Sequence, residues 1–180
     1  MKNNTIPSET CILFAKASDA DRVMIPEKRK EDAGYDLYAC FENNYIRIPA
    51  HDTVLIPTGI ASALPESYYF QIEEKSSTAS KFKIKKSAGI IDSGYRGEWM
   101  VACYNTNDED MYIVKKDHEK DLLDAADVLG IKIHTYPYEK SIAQAILHHV
   151  IDVDTKEISY DELYEIKSER MAGGFGSTGK

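Results

Sequence analysis

The sequence predicts an all-β protein, either a barrel or a jelly roll. Its apolar segments are mostly short, alternate with polar residues, and are rich in β-branched and aromatic side chains. The segments are bounded by Pro, Gly, Asn, Asp or Ser, which favour turns. Many short strands at such intervals are typical of barrels and jelly rolls. With 180 residues the chain is long enough for one domain with a sizeable core.

Six segments are predicted as strands. In most of them apolar residues recur at every second position, so one face of each strand is expected to turn toward a core. The single tryptophan, Trp99, and most of the tyrosines are expected to pack within the sheets. The predicted strands span residues 45–48, 53–56, 68–72, 99–104, 111–114 and 142–147.

One segment has helical spacing instead. From Asp117 to Leu129 apolar residues recur three or four positions apart, and Gly130 supplies a stop signal. We predict a short amphipathic helix inserted between strands. Two roles stay open: its apolar stripe packs on the β-structure, or the helix binds a protein partner. The stripe consists of Leu122, Ala125, Ala126 and Leu129.

Charge and cysteine content restrict the function classes. A net charge of −8 and a pI near 5.1 argue against general DNA or RNA binding, which needs a basic face. Cys11, Cys40 and Cys103 are odd in number and lack metal-ligand spacing, so we expect reduced, mostly buried thiols in a cytosolic compartment. The chain has no apolar run of membrane-spanning length. Residues 1–10 are polar and are expected to form a loose leader rather than a signal peptide.

Two polar stretches are suited to phosphate and metal binding. The first contains Gly34, which permits a sharp bend, and Asp36, a candidate ligand for a hydrated Mg²⁺ ion. The second is Lys75 followed by the hydroxyls of Ser76, Ser77 and a threonine, a set that can bind a phosphate group. The same hydroxyls can also cap the N-terminus of a helix, and both roles can hold together.

Two further stretches are suited to recognising a nucleoside. Residues 88–98 are typical of a hairpin, in which the backbone near Gly89 can hydrogen-bond a base edge. Within it Asp92 is a candidate general base for a water molecule, and Tyr95 can press against a sugar and leave no room for a 2′-hydroxyl. An ordinary tight turn is the alternative. Gln144, on a predicted strand, carries an amide that needs a partner if it is buried.

The glycine-rich end of the chain can wrap a triphosphate. Backbone amides and the hydroxyls of Ser177 and Thr178 can hold phosphate oxygens, and Phe175 can lie flat on a base. Arg170, just upstream, can meet a terminal phosphate with its planar guanidinium group. Taken alone, this stretch is typical of a disordered tail.

Together these stretches resemble a known family. AGYDL, KSSTA, GIIDSGYRGE, IAQ and ERMAGGFGSTG occur in the order of the five motifs of the trimeric dUTPases and cover most of the chain. One glycine-rich tail is a weak signal, whereas five motifs in sequence order are specific. The resemblance implies a β jelly roll that hydrolyses dUTP to dUMP and pyrophosphate with Mg²⁺. It also implies a cytoplasmic homotrimer in which all three chains contribute to each active site.

The resemblance assigns roles to individual residues. Asp92 would activate the water that attacks the α-phosphorus, and Asp36 would contact Mg²⁺ through water. The backbone near Gly89 would bind uracil, and Tyr95 would stack on the deoxyribose. The phosphate chain would be held by Lys75, Ser76, Ser77 and Gln144, while Phe175 would cover uracil and Arg170, Gly176, Ser177 and Thr178 would bind the distal phosphates.

The resemblance also predicts the domain organisation. Residues 1–10 would be a loose leader, and residues 11–166 a dUTPase-type β-barrel domain with a short helix after the second motif. Residues 167–180 would be a flexible arm that closes a neighbouring active site. Residues 106–140 are longer than the usual connection between the third and fourth motifs, and some phage-encoded members carry extra residues there, which suggests a phage or prophage origin.

Two substitutions within the motifs leave alternatives open. Lys75 stands where the family usually has arginine, and Ser141 stands where arginine often precedes IAQ. The lysine at position 75, together with the helical insert, makes a nucleotide-sensing or partner-binding protein on the same scaffold, without catalysis or beside it, an alternative. The related dCTP deaminases are a second alternative, but Ala102 and Cys103 lie on the strand where those enzymes carry a catalytic glutamate.

Overall fold

The computed structural model describes residues 11–18, 22–169 and 171–172. Within these residues the chain forms twelve β-strands and three helices, so the prediction of a mostly β protein is confirmed. All six predicted strands are present, with ends within two residues of those predicted. The strands are β1 (Leu13–Lys16), β2 (Gly34–Tyr38), β3 (Tyr45–Ile48), β4 (Thr53–Pro57), β5 (Ile60–Ala63), β6 (Tyr68–Glu73), β7 (Ile84–Lys86), β8 (Ile90–Ile91), β9 (Met100–Asn105), β10 (Asp110–Val114), β11 (Ile133–Pro137) and β12 (Ser141–His149).

The helices are short. They are α1 (Ser76–Ser80), α2 (Lys116–Val128) and α3 (Tyr160–Glu165). The predicted helix after the second motif is α1, and the predicted amphipathic helix is α2. None of the helices formed by the described residues has the length and apolar character needed to cross a membrane.

The strands are hydrogen-bonded into four small sheets within the described part of the chain. Their orders are β1-β5, β11-β10-β3, β2-β12-β6-β8 and β4-β9-β7. Neighbouring strands are antiparallel except for β10 and β11, which are parallel. Parallel neighbours cannot be joined by a tight hairpin, and α2 supplies the crossover between them. The helix is therefore part of the connectivity of the sheet as well as a surface element.

Aromatic side chains form the centre of the core. Trp99 is fully buried and packs edge-on against Phe70, with ring centroids 5.1 Å apart. Phe14 lies 5.8 Å from the same indole. Along β6 the buried residues Phe70 and Ile72 alternate with half-buried polar neighbours, as the period of two predicts. The core position expected for Trp99 is confirmed.

The apolar stripe predicted on α2 is only partly turned inward. Ala126 is buried and Leu122 is half-buried, whereas Ala125 and Leu129 are exposed. Leu129 is the C-cap residue, and Gly130 follows with a positive φ of 66° that ends the helix. The inward face is therefore narrower than the predicted stripe, since Ala125 lies off it beside Ala126, and Leu129 lies where the helix ends.

The chain divides into two compact units, Met1–Val150 and Ile151–Lys180. The first contains all twelve strands, α1 and α2. The second contains α3, which begins with a capping box: Ser159 Oγ accepts a hydrogen bond from the Glu162 N–H, and Glu162 Oε2 accepts one from the Ser159 N–H.

The three cysteines form no disulfide. Cys40 and Cys103 are buried, as predicted, and Cys11 is exposed. Burial raises the pKa of the Cys103 thiol to about 12, so the sulfur stays protonated near neutral pH.

Candidate active site

Three polar residues lie in a row across neighbouring strands. Asp36 on β2 is paired with Gln144 on β12, and Gln144 is paired on its other side with Glu73 on β6. Directly paired residues project from the same face of a sheet. The register therefore brings the predicted first and fourth motifs together at one place.

Gly34 leaves room for the side chain of Gln144. The residue begins β2, and a Cβ atom built on it would overlap the Gln144 side chain. The chain bends at Ala33, directly before this glycine, and continues from Gly34 as a regular strand. Gln144 is half-buried, and its amide donates to the Glu74 carbonyl at 2.9 Å. The partner that a buried amide requires is therefore present.

Lys75 connects α1 to this row. It is the N-cap residue of α1, in an extended conformation, and its ammonium lies 2.6 Å from Asp36 Oδ1 and 2.6 Å from Ser141 Oγ. No side chain caps the helix, so the alternative role of the hydroxyls as a cap is wrong. Ser76 and Ser77 lie exposed in the first turn. Lysine and hydroxyls thus border the same surface, as the sequence predicts.

An open groove of about 930 Å³ runs beside these residues. Its lining includes Asp36, Lys75 and Gln144, and also Lys28 and Arg29 from the loop before β2. This loop was not among the predicted site segments, although its run of charged residues (EKRKED) immediately precedes the first motif and was a usable signal.

Arg29 is anchored by a carboxylate at the rim of the groove. Its guanidinium donates to both oxygens of Asp32, at 2.8 and 3.0 Å. These hydrogen bonds hold the pKa of the Asp32 carboxyl below its ordinary value. The same pair raises the pKa of Arg29, so both groups are charged near neutral pH. The Lys28 ammonium donates to the Asp32 carbonyl at 2.8 Å. Both cations thus border the groove, each with a partner in the same loop.

The turn after β8 presents Asp92 and Tyr95. Asp92 is exposed, and its carbonyl accepts the Tyr95 N–H at 3.1 Å. The Tyr95 hydroxyl donates to the Glu98 carbonyl at 3.0 Å, which holds the ring across the turn. A Cβ atom on Gly97 would overlap that ring, so glycine is needed there for close contact. Glu98 in turn accepts the Gly59 N–H at 2.6 Å. The turn and the Tyr95 ring are therefore held by several contacts, and the Asp92 carboxylate is exposed on that turn.

The segment around this turn is not a paired hairpin. Strand β8 pairs with β6, whereas the next strand, β9, pairs with β4 and β7 in another sheet. The predicted hairpin is therefore wrong, and the chain turns between two sheets. At the start of the segment the Gly89 carbonyl accepts the Ile72 N–H at 2.7 Å, and a Cβ atom on Gly89 would lie 2.8 Å from the Ile72 carbonyl oxygen. Glycine allows this close approach of the two backbones.

One chain does not bring the two groups of residues together. Strands β2 and β8 are the two edges of their sheet, three strand spacings or about 14 Å apart. Asp92 follows Ile91, which pairs with Phe70, about 10 Å along β6 from the row that contains Asp36. Asp36, Lys75 and Gln144 thus form one cluster, and Asp92 with Tyr95 forms a second.

Some predicted site residues lie outside the described part of the chain. These are Arg170, Phe175, Gly176, Ser177 and Thr178. Within the described residues, no group of three or more His, Cys, Asp or Glu side chains is arranged to hold a metal ion. The cluster instead offers a single carboxylate, Asp36, beside polar groups.

The chain is similar to known dUTPases in both sequence and structure. The dUTPase family model matches residues 20–118. The deoxyuridine 5'-triphosphate nucleotidohydrolase of Candida albicans is 36% identical over 148 residues, which are 82% of this chain and 76% of the relative. The dUTPase of Staphylococcus bacteriophage 80alpha, solved with dUpNHpp, superposes with a TM-score of 0.70 at 20% identity, covering 95% of this chain and 99% of the phage protein.

A second phage structure concerns a metal. The dUTPase from phage phi11 of S. aureus, whose structure concerns the coordination of a structural Mg(II) ion, has a TM-score of 0.60 at 19% identity and covers 82% of this chain and 96% of its own. At such identities the two phage structures establish the fold alone. The jelly-roll fold of the dUTPase type, predicted from the motifs, is confirmed.

Proposed function

The chain belongs to the dUTPase family, and we propose that it hydrolyses dUTP to dUMP and pyrophosphate. The reaction would limit uracil in DNA and supply dUMP for dTMP synthesis. The observation that carries the proposal is the cluster of Asp36, Lys75 and Gln144 on one groove, built from three separate motifs of the family. A cation, an amide and a carboxylate side by side are suited to a phosphate chain with its counter-ion.

Phosphate binding is assigned to the groove. The Lys75 ammonium and the Gln144 amide would hold phosphate oxygens, with the exposed hydroxyls of Ser76 and Ser77 beside them. Cations and hydrogen-bond donors aimed at these oxygens offset the negative charge that shields phosphorus from a nucleophile.

Asp92 is assigned the general-base role. Its carboxylate would take a proton from a water molecule while the water oxygen forms a bond to the α-phosphorus. The bond from that phosphorus to the bridging oxygen breaks, and pyrophosphate leaves. The exposed position of Asp92 on a turn held by several hydrogen bonds supports this role.

The residues of the groove fit a Mg²⁺ ion that arrives with the substrate. Mg²⁺ usually keeps several waters and is bound through one or two carboxylates plus substrate phosphates. Asp36 offers one carboxylate beside the predicted phosphate positions, which suits contact through water. When bound, the ion would draw negative charge from the phosphate oxygens. Lys75, already in contact with Asp36, would keep this carboxylate oriented toward the groove.

Selection of deoxyuridine is assigned to the second cluster. The backbone near Gly89 would hydrogen-bond uracil and reject cytosine, whose 4-amino group reverses a donor and an acceptor. The Tyr95 ring, fixed through its hydroxyl, would lie under the deoxyribose and exclude a 2′-hydroxyl. Phe175 of the tail would cover the base, and Arg170, Gly176, Ser177 and Thr178 would bind the distal phosphates.

A homotrimer with shared sites is proposed, and the separation of the two clusters supports it. Asp36 and Asp92 of one chain lie on opposite edges of a sheet, too far apart to act on one phosphorus. A threefold arrangement would place the groove of one chain against the Asp92 turn of a neighbour. Residues 167–180 would then act as an arm that closes a neighbouring site. The three free cysteines suit a reducing cytoplasm, bacterial or of a phage-infected host.

The direct test is pyrophosphate release from dUTP in the presence of Mg²⁺. The wild-type chain should release one pyrophosphate per dUMP, and Asp92→Asn should lower kcat by roughly a thousandfold or more while dUTP still binds. Asp152→Asn, which alters another exposed aspartate, serves as the matched control and should not change the rate. Unchanged turnover in Asp92→Asn would remove this residue from the mechanism.

A partner-binding role is the second candidate, and α2 carries it. Val128 and Leu129 at the end of the helix are 86% and 71% exposed. The helix itself carries five carboxylates against two lysines. An apolar patch bordered by acidic residues suits a partner with basic and apolar side chains. This role would act beside catalysis, because a pure nucleotide sensor would not need Asp92.

Deamination of dCTP is not favoured. At the strand positions in question Ala102 and Cys103 are buried, and the Cys103 thiol has a pKa of about 12. Neither side chain can exchange a proton with a base near neutral pH.

A further inference from the structure

We infer that Ser141 is a positioning residue for the phosphate groove, where its hydroxyl fixes the Lys75 ammonium. The inference rests on the proposed function, because it assigns Ser141 a part in phosphate binding through Lys75. It starts from a contact between a buried serine and a half-buried lysine, 2.6 Å from Oγ to Nζ.

The hydroxyl completes the surroundings of the ammonium. Lys75 Nζ also lies 2.6 Å from Asp36 Oδ1. An ammonium group has three N–H donors, so the carboxylate and the hydroxyl use two and leave the third for a phosphate oxygen. A lysine side chain has more rotamers to lose than most, and two anchors restrict it more than one. Ser141 thus directs the remaining N–H into the groove.

Ser141 is itself held from the core side. The hydroxyl of Tyr136, a buried residue on β11, donates to the Ser141 carbonyl at 2.7 Å. The same hydroxyl lies 3.5 Å from Thr78 Oγ1 in α1, the helix that Lys75 caps. These contacts link Lys75 to Ser141, Ser141 to Tyr136, and Tyr136 to Thr78. Thr78 lies in α1, whose N-cap residue is Lys75. The hydroxyl that meets the ammonium therefore belongs to a rigid part of the molecule.

The strand is irregular at this position. The register between β12 and β2 shifts between Ser141 and Ala143. Three consecutive residues, Ser141, Ile142 and Ala143, are buried there, which breaks the alternation of a regular strand. Such irregularities re-aim side chains and often lie next to active sites. Here the serine hydroxyl lies against the lysine.

The test is a set of variants measured for dUTP hydrolysis. Ser141→Ala should lower kcat/KM by about tenfold, and Ser141→Thr, which keeps the hydroxyl, should recover most of the loss. In a Lys75→Met background Ser141→Ala should have no further effect, because the group it positions is gone. Ser62→Ala, the loss of another buried serine hydroxyl, is the matched control and should leave kcat/KM unchanged.

A binding measurement separates this inference from the proposed function. Calorimetry with inorganic triphosphate should show weaker binding by Ser141→Ala than by wild type, and no difference between the two serine forms in the Lys75→Met background. If this pattern holds without any dUTP turnover, the proposed function fails and the positioning role stands. An equal loss from Ser141→Ala with and without Lys75, or no loss at all, overturns the positioning role.

Discussion

Gly34 and Gln144 interlock across the β2–β12 strand pair. Gly34 is paired with Ile146, so Gln144 is its diagonal neighbour, and the glutamine side chain occupies the space that a Cβ atom on Gly34 would need. The same side chain is fixed at its other end by the Glu74 carbonyl. The glycine of the first motif thus determines where the amide of the fourth motif lies.

Gly34→Ala should therefore damage the site with little effect on the fold. The new methyl group must displace Gln144, and we expect the KM for dUTP to rise about tenfold. The melting temperature should change by only a few degrees, because the atom nearest to the new methyl group is Gln144 Oε1, the end of a flexible side chain. A normal KM in Gly34→Ala would mean that the position of Gln144 is unimportant.

The Tyr95 ring should control discrimination against ribonucleotides. Tyr95→Ala removes the ring that would lie under the sugar, so the ratio of kcat/KM for dUTP to that for UTP should fall by about tenfold or more. Tyr95→Phe loses only the hydrogen bond to Glu98 and should keep most of the ratio. Tyr45→Ala alters a tyrosine of the same 44% exposure, on strand β3, and should keep the ratio unchanged. Equal ratios in wild type and Tyr95→Ala would argue against the stacking role.

Asp110 should contribute to stability in a pH-dependent way. Its carboxylate accepts from Arg47 Nε at 2.6 Å and from the Ala50 N–H at 3.0 Å. The hydrogen bond from Arg47 is the main reason that the pKa of Asp110 lies below its ordinary value. Because the folded-state pKa is lowered, the stabilisation is complete above the unfolded value of about 3.9 and is lost as pH falls through the folded value.

Asp110→Asn is therefore expected to destabilise the protein by about 0.5–1 kcal/mol near neutral pH, a modest amount because the Arg47 partner is exposed to solvent. The difference from wild type should shrink below about pH 4, where the carboxyl becomes protonated. Urea unfolding at a series of pH values measures this, and Asp108→Asn, which alters a neighbouring carboxylate that is 91% exposed, is the control. If the free energies of unfolding of wild type and Asp110→Asn differ by the same amount at every pH, the Arg47 contact does not make stability depend on pH.

Deleting residues 173–180 should remove turnover and leave the assembly intact. The tail is proposed to close the site over the triphosphate, so we expect kcat/KM for dUTP to fall by about a hundredfold. Mass measurement by light scattering should give the same oligomer as the full chain. Deleting residues 1–10 is the control and should change neither property. A tail-deleted chain with full activity would exclude the tail from the mechanism.

The sequence was a good guide where local pattern decides the outcome. The alternation of apolar and polar residues predicted the six strands. The order of the motifs predicted Asp36, Lys75 and Gln144 as site residues, and the fold brings these three together. The packing of Gly34 against Gln144 was not predicted, because Gln144 lies on a neighbouring strand and no local pattern records such a contact. The hairpin expected around Asp92 failed because β8 pairs with β6, a long-range choice.

The two departures from the family motifs, Lys75 and Ser141, can be understood together only from the structure. Lys75 and Ser141 are far apart in sequence, yet their side chains are in direct contact. Read singly, each substitution suggests a weakened site. Together they form one lysine–hydroxyl pair, which depends on the β12 irregularity and on the Tyr136 hydroxyl, and neither of these was visible in the sequence.

The most direct test of the account is whether two variants with strongly reduced activity restore each other. Lys75→Met and Asp92→Asn are unfolded together, refolded as an equal mixture, and assayed for pyrophosphate release from dUTP. If Lys75 and Asp92 of different chains form one site, random assembly should return about a quarter of the wild-type activity, because half of the chains supply each residue. Activity no higher than that of the separate variants, in mixed oligomers of confirmed composition, would contradict a site shared between chains.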